Sequence, residues 1–248
     1  MDVDLYLRVR EREGRLYSDD LLARLPSIPN GHPLADEWRA RSASASRLTR
    51  YLSRRPEPLR LLDLGCGNGW LSNLLARSAS RRVVGVDQNR PELRQAARVF
   101  SSNPNLCFLE ADIFSAPFSF SAFDIIVLAS VIQYFPDLRA LLTQLLRYLK
   151  PNGEIHILDS PLYSDSEADA AKERTRTYYA SLGFPQMADF YFHHRFSGLK
   201  SFSPQVLYSP RALALKRLVG RFDSPFAWVM ISASRAYLTF SNVTTARI

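Results

Sequence analysis

Cysteine is scarce in this sequence, where Cys66 and Cys107 are the only two thiols among 248 residues. Two cysteines cannot form the cross-links that hold small secreted domains together, and both lie in segments that we expect to be buried, which favours a reducing compartment. The sequence lacks an apolar run near the roughly 18 residues of a membrane helix. Its first residues, MDVDLYLRVRERE, lack the apolar core of a signal peptide. We therefore expect a cytoplasmic protein without a membrane span.

Lysine is also rare, because only 4 of the 32 basic residues are lysines and the other 28 are arginines. The formal net charge is +8, and the planar fork of arginine binds carboxylates and phosphates, so an anionic partner is one interpretation. The arginines are scattered among acidic residues, however, and no basic run or basic stripe with interleaved aromatic residues occurs. A general preference for arginine explains this pattern better, and the chain has no clear nucleic-acid signature.

Short apolar segments and amphipathic segments alternate in the middle of the chain. The apolar segments predict strands at 59–64, 83–86, 107–110, 123–129 and 154–158. Helices between them imply right-handed βαβ crossovers and a parallel sheet. With two further strands expected near the end, the predicted fold class is α/β. It is a Rossmann-like, seven-stranded, mostly parallel sheet with helices on both faces and an N-terminal helical cap.

The two ends of the chain are less regular. The predicted N-terminal cap, 1–57, begins with a polar mobile flap or short helix, 1–30, and continues as an amphipathic helix that prolines stop. The C-terminal part, 161–248, is expected to hold the last two strands and a substrate-side insertion. No change in composition marks a second domain, so 1–248 is predicted to be a single domain around a core at 58–160.

Three elements are predicted within the C-terminal part. A helix is expected at 166–181, and the two last strands are expected at 188–196 and 225–232. The basic segment between these strands, 197–222, is interrupted by prolines.

A glycine-rich turn follows the first predicted strand and reads LLDLGCGNGW from residue 61. Glycines let backbone N–H groups approach a ligand, and the helix that follows offers free N–H groups and partial positive charge. Dinucleotide-binding loops use G-x-G-x-x-G, but here the spacing is G-x-G-x-G, and Trp70 occupies the third glycine position. Asp63 is a poor neighbour for a pyrophosphate, whereas it suits the ammonium group of S-adenosylmethionine (SAM). The loop therefore favours SAM over NAD, and the alternative is a tight turn without a ligand.

The segment from Asp63 to Trp70 resembles the first motif of the class I SAM-dependent methyltransferases, in the branch that includes the ubiquinone and menaquinone methyltransferases. The resemblance implies a methyltransferase with SAM as its cofactor. It also implies that Asp63, Gly65, Cys66 and Gly67 bind SAM, within a SAM-binding core at 58–160.

Two further acids follow in the order that this family has. Asp87 ends the second strand about 20 residues beyond the loop, where an acid can accept ribose hydroxyls, and the resemblance adds Gln88 as an adenosine contact. It also implies that Asp112, after the third strand, accepts from the adenine amine, with the backbone of Ile113 beside the ring. The alternatives are a solvated helix N-cap for Asp87 and a turn-forming Asp112.

The end of the fourth strand is expected to lie at the reaction centre. Ligands of open α/β sheets bind beyond the carboxyl ends of the strands, which places Ala129 and Ser130 at the cofactor. The family commonly has histidines just afterwards, where this chain has Gln133 and Tyr134. Because glutamine orients a substrate but takes no proton, a non-catalytic SAM-binding protein stays an alternative, as does an NAD(P)-dependent reductase.

The catalytic residue is left unknown by the sequence. Positioning can carry much of a methyl transfer, and a nucleophile with a mobile proton also needs a base. His156, inside the fifth strand, is expected to be structural, and His32 in the cap is a remote candidate base. The remaining catalytic candidates are Gln133, Tyr134, Asp159, His193 and His194.

The acceptor is inferred by elimination. The fourth strand is not followed by the Pro-Pro-aromatic run of base amino-methyltransferases, neither cysteine has a Pro-Cys context, and the glutamate pair of arginine methyltransferases is missing. A small-molecule or lipid-like acceptor is therefore expected, with no metal, in a monomer or homodimer. The aromatic residues of the C-terminal half either line its pocket or form core.

The acceptor site is expected above the ends of the fourth and fifth strands, roofed by 1–45 and 161–222. Trp38, Arg39 and Arg41 belong to the helix before the first strand. An arginine of this helix could meet the carboxylate of the cofactor or acceptor. The alternative is a surface helix with Trp38 packed on the core.

Overall fold

Seven strands form one mixed sheet in the computed structural model, which describes residues 2–210 and 223–236. The strand order is β3-β2-β1-β4-β5-β7-β6. β1 to β5 pair in parallel, while β7 runs antiparallel to both β5 and β6. The mostly parallel, seven-stranded sheet is therefore confirmed. The strands are β1 (Leu59–Leu64), β2 (Arg81–Asp87), β3 (Leu106–Glu110), β4 (Phe123–Ala129), β5 (Leu149–Leu158), β6 (Gln205–Tyr208) and β7 (Trp228–Ser232).

Seven α-helices and three short 3-10 helices accompany the sheet within residues 2–210. The α-helices are α1 (Val3–Arg12), α2 (Asp19–Leu22), α3 (Ala35–Leu52), α4 (Trp70–Leu75), α5 (Arg90–Val99), α6 (Leu138–Tyr148) and α7 (Ala168–Ser181). The 3-10 helices are Ile132–Tyr134, Pro185–Phe190 and Phe196–Phe202. None of the described helices combines the length and the apolar composition that crossing a membrane requires.

The core lies on both faces of the central strands. Alternate residues of a strand point to opposite faces, so Leu62 and Ile126 join the hydrophobic cluster under α6, whereas Leu61 and Ile125 join the cluster under α3, α4 and α5. All four of these side chains are fully buried. Each contributes about 1.5–3 kcal/mol by leaving water, which explains the continuous apolar sequence of these strands.

The prediction of a mobile flap at 1–30 is wrong for its second half. Leu22 and Leu25 are buried in the cluster under α3. Asp19 forms an ion pair with Arg98 on α5, with Nε–Oδ2 at 2.7 Å. The polar composition hid these two leucines, which are three residues apart and therefore face the same way. The prediction of a short helix is correct, because Asp2 accepts a hydrogen bond from the Leu5 N–H and caps α1.

The strand predicted at 188–196 is also wrong. Its backbone N–H groups do not enter the sheet, since Phe192 N–H donates to the Gln133 carbonyl at 2.7 Å. The sixth strand is instead Gln205–Tyr208, inside the predicted basic segment, whose residues 211–222 lie outside the described part of the chain. Alternating aromatic side chains mimic a strand when they anchor a loop over the end of a sheet. The last strand predicted at 225–232 is confirmed by β7.

Cys107 is exposed, contrary to the expectation that both thiols are buried. It lies on β3, which ends the strand order and therefore has a neighbouring strand on one edge only, and no residue of β3 is fully buried. Cys66 is buried as expected, and the case for a reducing compartment therefore rests on one thiol.

Candidate functional site

The glycine-rich turn joins the end of β1 to α4. A Cβ on Gly65 would come within 2.1 Å of the Val131 side chain, and a Cβ on Gly69 within 2.5 Å of Phe108. Those two glycines are required for packing. Gly67, with φ +50°, is different, since its Cβ would meet the Glu92 carboxyl at 3.3 Å. Gly67 is thus the glycine of this turn whose side-chain position faces the Glu92 carboxyl and not the packed core.

Asp63 lies beneath this turn with 1% of its surface exposed. Its Oδ2 accepts a hydrogen bond from the Ser72 hydroxyl at 2.6 Å, so α4 holds the carboxyl in place. Burial raises the pKa of Asp63 to about 7. The carboxyl lines a cavity of about 100 Å³ together with Gly65, Cys66 and Gly67, which we call the narrow cavity.

Asp87 at the end of β2 is bound to the same turn. Its Oδ2 accepts from the Gly67 N–H at 2.8 Å, and its Oδ1 accepts from the Asn89 N–H at 2.9 Å. The carboxylate is partly buried, and burial raises its pKa. The N-cap of α5 is Asn89, which accepts from the Glu92 N–H. The alternative interpretation of Asp87 as a solvated N-cap is therefore wrong.

A second cavity, of about 240 Å³, lies on the other side of the turn; we call it the middle cavity. It brings the ends of β2, β3 and β4 together. Asp112 also accepts from the Phe114 N–H at 3.0 Å, so its turn-forming role coexists with its place at the cavity. Of the predicted residues, the middle cavity gathers Gly65, Gly67, Asp87, Gln88, Asp112, Ile113, Ser130 and Tyr134; Ala129 lines the narrow cavity instead.

The ends of β4 and β5 share an unusual backbone. Ser130 and Asp159 have φ values of +57° and +48°, in a region that residues other than glycine rarely occupy. Ser130 N–H donates to the Leu158 carbonyl, and its hydroxyl donates to the Asp159 carbonyl, both at 3.0 Å. Strained residues of this kind concentrate at functional sites, and Ser130 lines both the narrow and the middle cavity.

A third cavity, of about 830 Å³, opens above these two strand ends; we call it the large cavity. Its walls come from α1, α3, α7 and the residues just before β7. Five tyrosines line it, together with arginines and acids. The residues that matter below are Arg10, Arg41, Ser130, Gln133, Tyr134, Asp159, Tyr163, Arg174, Tyr178, Tyr179, Tyr191 and Ser224.

Two polar side chains at the floor of the large cavity are firmly placed. Asp159 Oδ1 accepts from the hydroxyls of Ser44 and Ser224, at 2.7 Å each. Gln133 is 5% exposed, and its Nε2 donates to the Ser130 carbonyl at 2.7 Å. The Gln133 Oε1 is buried and has no hydrogen-bond partner among the described residues. A buried acceptor without a partner costs about 1–3 kcal/mol, which marks it as a place for a donor from a ligand.

The histidines lie away from this floor, and none of the described residues that line the large cavity is a histidine. His194 Nε2 lies 3.0 and 2.9 Å from the carbonyls of Ile132 and Phe135, so it braces the 3-10 helix after β4. His193 pairs with Thr175 behind the cavity wall at 2.8 Å. His156 accepts from the Trp228 indole in the core, as its place in β5 predicts. His32 accepts from the Leu34 N–H within the cap.

Sequence reasoning missed Arg10, which lines both the narrow and the large cavity. Its Nη2 donates to the Tyr134 hydroxyl at 3.1 Å, and its Nη1 donates to Glu13 at 3.1 Å. The guanidinium lies over the Tyr6 ring, 4.7 Å from the centroid. The signal available in the sequence was the i, i+4 spacing of Tyr6 and Arg10, which puts both on one helix face.

Comparison with known proteins agrees with this geometry. The family model described as "Methyltransferase domain" matches residues 62–157. Over these residues the chain is therefore similar to a methyltransferase domain. A demethylmenaquinone methyltransferase from Thermus thermophilus is 35% identical over 144 residues, which are 57% of this chain and 60% of the relative. A malonyl-[acyl-carrier protein] O-methyltransferase from Halalkalibacterium halodurans is 33% identical over 44% of each chain. The chain thus spans about half the length of these relatives.

A solved structure extends the similarity in fold beyond the domain. Geranyl diphosphate C-methyltransferase from Streptomyces coelicolor, in complex with Mg2+, geranyl diphosphate and S-adenosyl-L-homocysteine, matches with a TM-score of 0.59 at 17% identity. The match covers 95% of this chain and 99% of that chain. Residues 62–157, which match the family model, line most of the middle cavity and one wall of the narrow cavity. The large cavity takes most of its lining from outside residues 62–157.

Proposed function

We propose that the protein is an enzyme that transfers a methyl group from SAM to a small-molecule or lipid-like acceptor. The observation that carries the proposal is the arrangement of Asp63, Asp87 and Asp112 around the glycine-rich turn, along cavities that share Ser130 with the large cavity. A cationic amino acid joined to a nucleoside matches this order of groups. The buried acid Asp63 lies at one end, beside the start of α4, and Asp87, a carboxylate for ribose, lies in the middle.

The residues present fit SAM along its length. The middle cavity suits adenosine, with Asp112 for the adenine amine, Gln88 and Ile113 beside the ring, and Asp87 for the ribose hydroxyls. The narrow cavity suits the methionine part, because Asp63 can accept from its ammonium group. The sequence predicted that an arginine of the helix before β1 could meet the carboxylate of the cofactor. We assign this role to Arg41, because Arg41 lines the narrow cavity.

The acceptor is assigned to the large cavity. Bound SAM would supply a methyl group that its sulfonium already activates, so alignment of the nucleophile is the main task. Gln133 Oε1 offers a free acceptor for a donor group of the substrate, and Tyr134 is fixed by Arg10. Asp159 can accept a proton from the nucleophile, and the hydroxyls of Ser44 and Ser224 orient its carboxylate.

The organisation of the chain follows from this assignment. Residues 58–160 form the SAM-binding core of a single domain, with 1–57 as its cap and 161–248 as its substrate side. A cytoplasmic location in small-molecule metabolism, as a monomer or homodimer, stays a prediction.

Calorimetry with SAM and, separately, with NADH tests the cofactor assignment. We expect SAM to bind with micromolar affinity, about −8 kcal/mol, and NADH not to bind. The reverse result would support a reductase. Incubation of the protein with isotope-labelled SAM and a metabolite extract then tests catalysis. Labelled product is expected, and SAM binding without any labelled product would support the non-catalytic alternative.

A further inference from the structure

Glu92, on the first turn of α5, faces the glycine-rich turn and lines the narrow cavity. All three atoms of its carboxyl lie within 3.9 Å of the position that a Cβ on Gly67 would take. Asn89 holds it there, because Asn89 Nδ2 donates to Glu92 Oε2 at 2.7 Å while Asn89 N–H donates to Asp87. One buried asparagine thus holds two carboxyls beside the turn, Glu92 in the narrow cavity and Asp87 in the middle cavity.

The two walls of the narrow cavity carry different charge. On the wall formed by the cap, Arg10 pairs with Glu13, and Arg15 and Arg41 share Glu37. The opposite wall carries Asp63 and Glu92, neither of which forms an ion pair with a described residue. Burial and the nearby Asp87 raise the pKa of Glu92 to about 7, and Arg10 opposes that rise. The wall at the glycine-rich turn therefore has an excess of carboxyl groups.

We propose that Glu92 is a specificity residue of the cofactor site, which favours SAM over the product S-adenosylhomocysteine (SAH). The inference rests on the proposed function. SAM carries a sulfonium and an ammonium against one carboxylate, whereas SAH has lost the sulfonium charge with the methyl group. A carboxylate in a partly buried cavity attracts the extra positive charge and gives nothing comparable to SAH. Glu92 thereby promotes exchange of product for fresh cofactor.

The test compares Glu92→Gln with the wild-type protein by calorimetry at pH 8, using SAM, SAH and sinefungin, an analogue with an amine in place of the methylsulfonium. We expect the variant to lose about tenfold in affinity for SAM and sinefungin, the scale of one partly screened charge pair, and to bind SAH nearly as well as before. Glu110→Gln is the matched control, because Glu110 is an exposed acid at the end of β3 whose partner is Arg90. The control should leave all three affinities unchanged.

A second measurement uses the wild-type protein alone, in case the variant does not fold. The groups around Glu92 are Asp63 on β1, Asp87 on β2, Cys66 in the turn, and Tyr6 and Arg10 on α1. Burial raises the pKa of both Asp63 and Glu92 to about 7, so the preference for SAM over SAH should increase as the two carboxyls lose their protons between pH 6 and pH 8. In Glu92→Gln the increase should be smaller, because only Asp63 still loses a proton there.

Either of two results would overturn the inference alone: equal weakening of all three ligands by Glu92→Gln, or a preference that does not change with pH. A wild-type protein that binds none of the three ligands would instead overturn the proposed function, and this inference with it.

Discussion

The cavities at the glycine-rich turn and the large cavity are built in different ways. The middle cavity is lined mainly by strand ends and the turns that follow them, and the narrow cavity sets the same glycine-rich turn against side chains of the cap. The large cavity is lined by long side chains from α1, α3, α7 and the residues before β7. A site made by adjacent turns can be recognised from a short sequence motif. A site assembled from distant segments can vary while the motif stays the same.

Gly67→Val should have the largest effect, because it acts on the glycine-rich turn and not on the large cavity. A branched side chain at φ +50° is strained by about 1–2 kcal/mol, and it would enter the space between the turn and Glu92. We expect SAM affinity to fall by about 100-fold or more, which is about 2.8 kcal/mol. Circular dichroism should still show a folded α/β protein. The matched control is Gly198→Ala, because Gly198 has open space around it. Normal SAM binding by Gly67→Val would remove the turn from the cofactor site.

Removal of residues 1–14 should reduce methyl transfer more than SAM binding, whereas Gly67→Val acts on SAM binding itself. This deletion takes away Arg10 and its contact with Tyr134, together with the packing of Leu5 and Val9 on Tyr179 and Met187. We expect the turnover of labelled methyl groups to fall by about 100-fold, whereas SAM affinity should fall by less than about tenfold. The reason is that α1 positions the acceptor and closes the large cavity over it.

The deletion stops at residue 14 for a structural reason. A deletion of 1–30 would also remove Leu22 and Leu25 from the core and would measure stability instead. Arg10→Ala and the exposed Arg12→Ala form a matched pair of point variants. Full turnover after the deletion would show that α1 does not build the acceptor site.

Gln133→Leu should give the smallest effect, confined to the large cavity. The variant loses the Oε1 acceptor, so KM for the acceptor should rise about fivefold to tenfold, the scale of one hydrogen bond, while SAM affinity stays unchanged. Gln144→Leu is the control, since it also loses a 2.7 Å side-chain bond but lies on α6. An unchanged KM in steady-state assays would mean that Gln133 only braces the turn after β4.

The difference between the glycine-rich turn and the large cavity also explains which residues could be predicted from the sequence. Asp63, the glycines and Asp87 were found because a strand, a turn and a helix are encoded by neighbouring residues. Glu92 was missed because an acid in the first turn of a helix is the ordinary complement of the helix dipole. Nothing local tells whether such an acid faces water or a cavity.

On the acceptor side, long-range contacts decide the structure. The strand predicted at 188–196 failed because its backbone partner, the Gln133 carbonyl, lies some 60 residues earlier in the chain. Asp159 was proposed from its place after β5, but its hydroxyl partners Ser44 and Ser224 come from opposite ends of the sequence. Spacing along the chain carries no signal for such a cluster.

The antiparallel direction of β7 places the segment just before it at one end of the sheet, where it can be replaced without changing β1 or its turn. Because β7 runs against β5, the chain enters β7 at the edge where β5 finishes, and Ser224 meets Asp159 there. β4 and β5 separate this entry from β1 and its glycine-rich turn. Under the proposed function, we expect that replacing the segment just ahead of Trp228 changes which acceptor is methylated and leaves SAM binding at the glycine-rich turn unchanged.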